Sequence, residues 1–101
     1  MRTDNIINGG RSLNRPSNTY AKAVELIAKV SNVKESEIKS LIKLGIVDAN
    51  TFEAFEIYYI FNELRAKGCK VDEIVMAVSE SYDIGRTSMY DRISLVKNLL
   101  N

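Results

Sequence analysis

Between Asn50 and Gly68 the chain carries Phe52, Phe55, Ile57, Tyr58, Tyr59, Ile60, Phe61 and Leu64, which together cover most of the circumference of a helix. Only Glu53, Glu56, Asn62 and Glu63 keep a polar strip. A helix apolar nearly all round is normally buried on several sides, so the rest of the chain has to pack around this segment. Asn50 and Glu53 have the spacing of a capping box that would open it. The helix is expected to run to about Lys67 and end at Gly68. Its aromatic stripe suits a core first; a chain this small can also need it as a dimer interface.

Two helices are expected before it. Ser17 or Asn18 can cap one beginning near Thr19, with Ala23, Val24, Ile27, Ala28 and Val30 on its apolar face. It breaks at Ser31-Asn32-Val33. The next spans about Glu35 to Leu44, placing Ile38, Leu41, Ile42 and Leu44 inward, with Gly45 as its stop. Ahead of both, residues 1–17 are rich in Asn, Gly and Ser and hold the only proline, Pro16. That composition predicts a flexible segment. It is either an untethered terminus or, through Arg2, Arg11 and Arg15, an arm that reaches a DNA minor groove.

After the central helix, the stretch VDEIVMAVSESYDIGRTSMYDRI, from Val71 to Ile93, predicts a helix, a tight turn and a second helix. Ile74, Val75 and Val78 share one face of the first, with Ser79 as a small residue near the crossing. Asp83-Ile84-Gly85 forms the turn, since Asp and Gly tolerate the left-handed backbone that such turns use. Ile84 serves as an apolar plug beneath it. Met89, Ile93 and Val96 continue at helical spacing. SLVKNLLN, with Leu95, Val96, Leu99 and Leu100, extends that face, either closing the core or pairing with a second subunit.

This arrangement resembles the helix-turn-helix of bacterial and phage DNA-binding regulators. The likeness rests on Ser79, the turn residue Asp83 four positions later, Ile84, Met89 and Ile93, supported by Gly68 and by Asp72-Glu73 at the first helix start. It covers about the last third of the chain. It departs from the usual pattern at Asp83, where glycine is commonest, and at Ser79, where alanine is.

The resemblance implies a small transcriptional regulator from a bacterium, phage or mobile element, reading the major groove with helix 86–100. Arg86, Thr87, Tyr90 and Asp91 lie opposite Met89 and Ile93 and are the expected base-reading residues; Arg86 has the bidentate geometry that guanine accepts. Lys67, Lys70, Ser88 and Arg92 are expected on the DNA backbone, where contacts position without specifying. The expected partners are double-stranded DNA and a second copy in a homodimer. A helical protein-interaction module without DNA binding is the main rival. An excision, partition or replication accessory protein would use the same groove-reading helix.

Shifting the sequence by 51 residues brings Ala28 onto Ser79, Asn32 onto Asp83, Val33 onto Ile84, Ile38 onto Met89 and Ile42 onto Ile93. The first half is thus either a second, degenerate helix-turn-helix or a plain helical hairpin. Glu35 and Glu37 make its would-be reading helix a poor DNA surface, so packing or dimerisation is its expected role.

Charge and chemistry narrow the function further. The 14 basic and 13 acidic residues nearly cancel, so DNA binding must come from local charge placement. Asp48 to Leu64 holds four acids and no base and should face away from DNA. With no histidine, one cysteine (Cys69) and no phosphate-cradling glycine loop, the residues predict no enzyme, no metal site, no cofactor and no small-molecule substrate. No apolar run approaches a bilayer span of about 20 residues, and MRTDNIINGG is not a signal peptide, so the expected location is the cytoplasm. The fold predicted is all-α: a small bundle of about five helices with a C-terminal helix-turn-helix around a central apolar helix. It divides into an arm (1–17), an N-terminal helical pair (18–47) and the central helix with the helix-turn-helix (48–101).

Overall fold

Five helices account for most of the described chain: α1 (Thr19–Ser31), α2 (Glu35–Lys43), α3 (Ala49–Ala66), α4 (Val71–Ser81) and α5 (Arg86–Leu100). The computed structural model describes the backbone of residues 5–8, 11–14 and 18–101, and side chains from 18 onward. The body is all-α. Ahead of it, β1 (Asn5–Asn8) and β2 (Arg11–Asn14) pair antiparallel, with Ile6 opposite Leu13 and Ile7 opposite Ser12, and β1 lies beside α4. A flexible segment was the expectation there. The pairing is formed by the two short runs that flank Gly9-Gly10.

The central helix is α3, and the reason is its circumference. Ala54 and Phe55 point into one cluster with Ala23, Val24 and Ile27 of α1, Ile38 of α2 and Val96 of α5. Ile57, Ile60 and Leu64 point into another with Ile74, Val75, Ala77 and Val78 of α4 and Met89 of α5. Burying an Ile, Val or Met side chain stabilises by roughly 1.5–3 kcal/mol, so α3 is the element through which both clusters are tied together. Helix α5 also spans them, contributing Met89 to one and Val96 to the other. Its C-terminal part therefore closes the core, while Leu95 and Leu99 on the same turns remain half-exposed.

Helices α1 to α4 end alike. A positive φ follows each, at Asn32 one residue past α1 and at Gly45, Gly68 and Asp83 two residues past α2, α3 and α4. The amide one position further donates back into the last turn: Val33 to Ala28, Ile46 to Leu41, Cys69 to Leu64 and Ile84 to Ser79. These bonds satisfy carbonyls that a helix end would leave open. Glycine is apt at 45 and 68 because φ there is 80° and 92°, values that strain a side chain.

Three local expectations need correction. Asp48, not Asn50, caps α3: its carboxylate accepts from the Thr51 amide at 2.8 Å and the Thr51 hydroxyl at 3.1 Å. Asn50 and Glu53 sit inside the helix because its start lies earlier. Leu44 does not point inward; α2 ends at Lys43, and the turn leaves Leu44 73% exposed beside Ile46 at 68%. Asn18 stands at the N-cap of α1 with φ 62° and makes no side-chain capping bond.

Candidate nucleic-acid interface

The turn between α4 and α5 is set by three residues. Asp83 takes φ 54°, its amide donates to Glu80, and the Ile84 amide donates to the Ser79 carbonyl at 2.9 Å. Ile84 packs against the α3–α4 cluster and so anchors the turn from below. Ser79 is buried and its hydroxyl donates to the Met76 carbonyl, which leaves no unsatisfied polar group at the crossing. Gly85 then starts α5 from an extended conformation.

With Met89 and Val96 locked inward, helical periodicity fixes what α5 shows to solvent. Arg86, Thr87, Ser88, Tyr90, Asp91 and Ser94 are all exposed. The four expected base-reading residues, Arg86, Thr87, Tyr90 and Asp91, therefore share an open surface at the N-terminal half of the helix. Tyr90 is 46% exposed despite its size. No acidic residue occupies the first turn of α5, and its N-cap glycine has no side chain to cap the amides. The positive end of the helix dipole thus has no first-turn acid and no side-chain cap beside it.

The expected backbone contacts divide. Lys67 and Lys70 are exposed at the α3–α4 junction, where Lys67 closes one helix and Lys70 opens the next. Ser88 is exposed on α5. Arg92 is turned the other way: its guanidinium holds Glu53 of α3 at 2.9 Å, with only 20% of its side chain exposed. It is a strut between helices and not part of the open face, a role that the linear sequence could not show because its partner lies 39 residues away. Arg11 lies in β2, but its side chain is outside what the structure describes; Arg2 and Arg15 fall outside the described residues.

The first half repeats the same frame. Asn32 takes φ 58°, and the Val33 amide donates to Ala28, as Ile84 does to Ser79. Buried Ala23, Val24 and Ile27 stand where α4 buries Ile74, Val75 and Val78, and buried Ile38 stands where α5 buries Met89. Helices α2 and α5 begin at Glu35 and Arg86, again 51 apart. The electrostatics differ: α2 opens with Glu35 and Glu37 in its first turn, α5 with none. One frame presents an electronegative helix start and the other an electropositive one.

Comparison with protein-family models, curated proteins and solved structures gave no match. Among the described residues no helix is long and apolar enough to cross a membrane.

Proposed function

We propose that this chain binds double-stranded DNA sequence-specifically, as a small transcriptional regulator that lays α5 in the major groove. The observation that carries this reading is the outward face of α5. An exposed Arg86 stands at a helix start free of first-turn acids, followed by exposed Thr87, Ser88, Tyr90 and Asp91. Phosphates are attracted to such a helix start, and Arg86 beside it can read guanine through two parallel hydrogen bonds. Thr87 can meet a thymine methyl, and Asp91 can accept from a cytosine amine or orient Arg86. Lys67, Lys70 and Ser88 serve as phosphate contacts that set register. No chemistry beyond binding is required of these residues.

The reading includes a homodimer. Leu95 and Leu99 are one helical turn apart on α5 and about half exposed, which gives the C-terminal part of the reading helix an apolar stripe beyond the polar face. Pairing there would present two copies of α5 to a symmetric site. The direct test is a titration of duplex DNA with the full chain and with Arg86→Ala. Loss of site preference in the variant supports the reading, and identical behaviour of the two proteins counts against it.

A further inference from the structure

The turn from α3 to α4 holds a cation that the linear sequence does not single out. From Leu64 to Val71 the chain carries Arg65, Lys67 and Lys70 and no acid. All three are exposed, and among the described residues none of them enters an ion pair. Of the acids that flank the turn, Glu73 accepts from the Lys70 amide at 3.4 Å, while Glu63 and Asp72 make no ion pair with it. The three positive charges therefore stand open to an outside anion.

Arg65 closes this turn twice. Its carbonyl accepts from the Gly68 amide at 3.0 Å, with Gly68 at φ 92°. Its guanidinium donates to the Cys69 carbonyl at 3.1 Å. Cys69 directly precedes Lys70, the N-cap of α4, so the bond ties the last turn of α3 to the entry of α4. A guanidinium carries five donors in a rigid fork. One serves Cys69, and the others have no partner among the described residues. The side chain is thus exposed yet already oriented. A second contact from the same fork costs less rotamer freedom than a free chain would lose.

We propose that Arg65 is a phosphate contact, oriented by the Cys69 carbonyl, and that with Lys67 and Lys70 it forms a three-cation clamp on the DNA backbone. This role rests on the DNA-binding reading of α5 and of the two lysines, and adds the residue that orients their turn. The length of α4 suits it. Its 11 residues span about 16 Å at 1.5 Å per residue, and Arg86 lies past its far end. The major groove is about 12 Å wide. A turn about one helix length from Arg86 is therefore far enough out to meet the phosphates that border the groove. Phosphate is the same at every base pair, so Arg65 adds affinity and register without sequence preference.

The test measures binding of the full chain to two labelled duplexes, the site enriched from random DNA and a mixed-sequence control, by fluorescence anisotropy across a salt series. Arg65→Met is expected to lower the slope of log affinity on log salt by about 0.9, the value for one phosphate, and to weaken both duplexes alike by about eightfold at about 0.1 M salt. Arg65→Lys keeps the charge but not the fork, so it is expected to keep the slope and weaken both duplexes about threefold. Lys29 sits in the last turn of α1 as Arg65 does in that of α3. Lys29→Met makes the same charge change there and is expected to leave the slope unchanged and the affinity within about twofold. Thermal unfolding, run alongside, establishes that each variant is folded at the assay temperature. A wild-type slope in Arg65→Met would overturn the proposal, because the side chain would then brace the turn without touching phosphate. So would an equal fall in slope for Lys29→Met, which would mark bulk charge. In either case a lowered slope for Lys70→Ala leaves the DNA-binding reading standing. Failure of the wild-type chain to bind either duplex would remove that reading itself, and this role with it.

Discussion

Asn32 and Asp83, 51 positions apart, hold the same left-handed backbone, with φ 58° and 54°, and each lets the next amide donate to the carbonyl five residues back in its helix. Neither is glycine. Asn and Asp tolerate this conformation better than other residues with side chains, whereas a β-branched residue is strained there. Asp83→Val is expected to destabilise the fold by about 1–2 kcal/mol in urea denaturation, and Asp83→Gly to leave it at or near wild type. Asn32→Val and Asn32→Gly should follow the same order. If valine were tolerated at either position, the shared turn geometry would be wrong.

The Arg92–Glu53 pair ties α5 to α3 across the junction of the two clusters. Its side chains are 20% and 32% exposed, so solvent screens part of the attraction. A double-mutant cycle with Arg92→Met and Glu53→Gln is expected to return a coupling of about 0.5–1 kcal/mol that shrinks with added salt. Arg92→Met should leave the DNA affinity of the folded protein nearly unchanged. A tenfold loss of DNA affinity without loss of stability would return Arg92 to the interface.

Those two residues also show where sequence reading stops. The ring of apolar residues on α3, the breaks at Asn32, Gly45, Gly68 and Asp83, and the inward Met89 and Val96 follow from helical period and from turn chemistry. Both are local, and both are recovered in the helices. Arg92 reads as a DNA-backbone contact in the sequence because its partner, Glu53, is 39 residues away. Leu44 looked inward because its spacing fits α2, but the helix ends one residue earlier and the turn carries it out. The α3 cap was misplaced by two residues because Asp48 and Asn50 are both good caps and only the fold selects between them.

Asp48 carries a pH signature. Hydrogen bonds from the Thr51 amide and hydroxyl hold its carboxyl below the usual value of 3.8. A carboxyl lowered on folding stabilises the native state above its unfolded pKa, and that contribution is lost as pH falls through the folded value. Thermal unfolding should therefore separate wild type from Asp48→Ala fully at about pH 7 and progressively less below about pH 4. Asp48→Asn, which keeps a capping oxygen, should lie closer to wild type at neutral pH. A gap between wild type and Asp48→Ala that stays constant down to about pH 2 would show that the carboxylate contributes nothing through its charge.

Leu95 and Leu99 give the dimer its own test. Light scattering of the wild-type chain is expected to return the mass of two copies, and Leu99→Glu the mass of one, with helical content preserved because the side chain is already half-exposed. A monomer mass for wild type, with and without DNA, would remove the homodimer from the account.

Arg86→Ala is expected to cost about 1–3 kcal/mol in binding to the preferred site, the range for one bidentate base contact. Lys70→Ala should instead weaken all sequences alike and lower the salt dependence by about one phosphate contact. Thermal unfolding of both variants should match wild type, since both side chains are exposed. Equal loss on all sequences for Arg86→Ala would make it a phosphate contact and move base reading to Thr87, Tyr90 and Asp91.

The most direct measurement of DNA reading by α5 is selection of binding sites from random duplex DNA by the full chain, followed by a salt titration on the enriched sequence. One enriched site with two-fold symmetry is expected, with log affinity falling linearly with log salt at a slope that counts the phosphates engaged. No enrichment, with weak binding that vanishes near physiological salt, would contradict it.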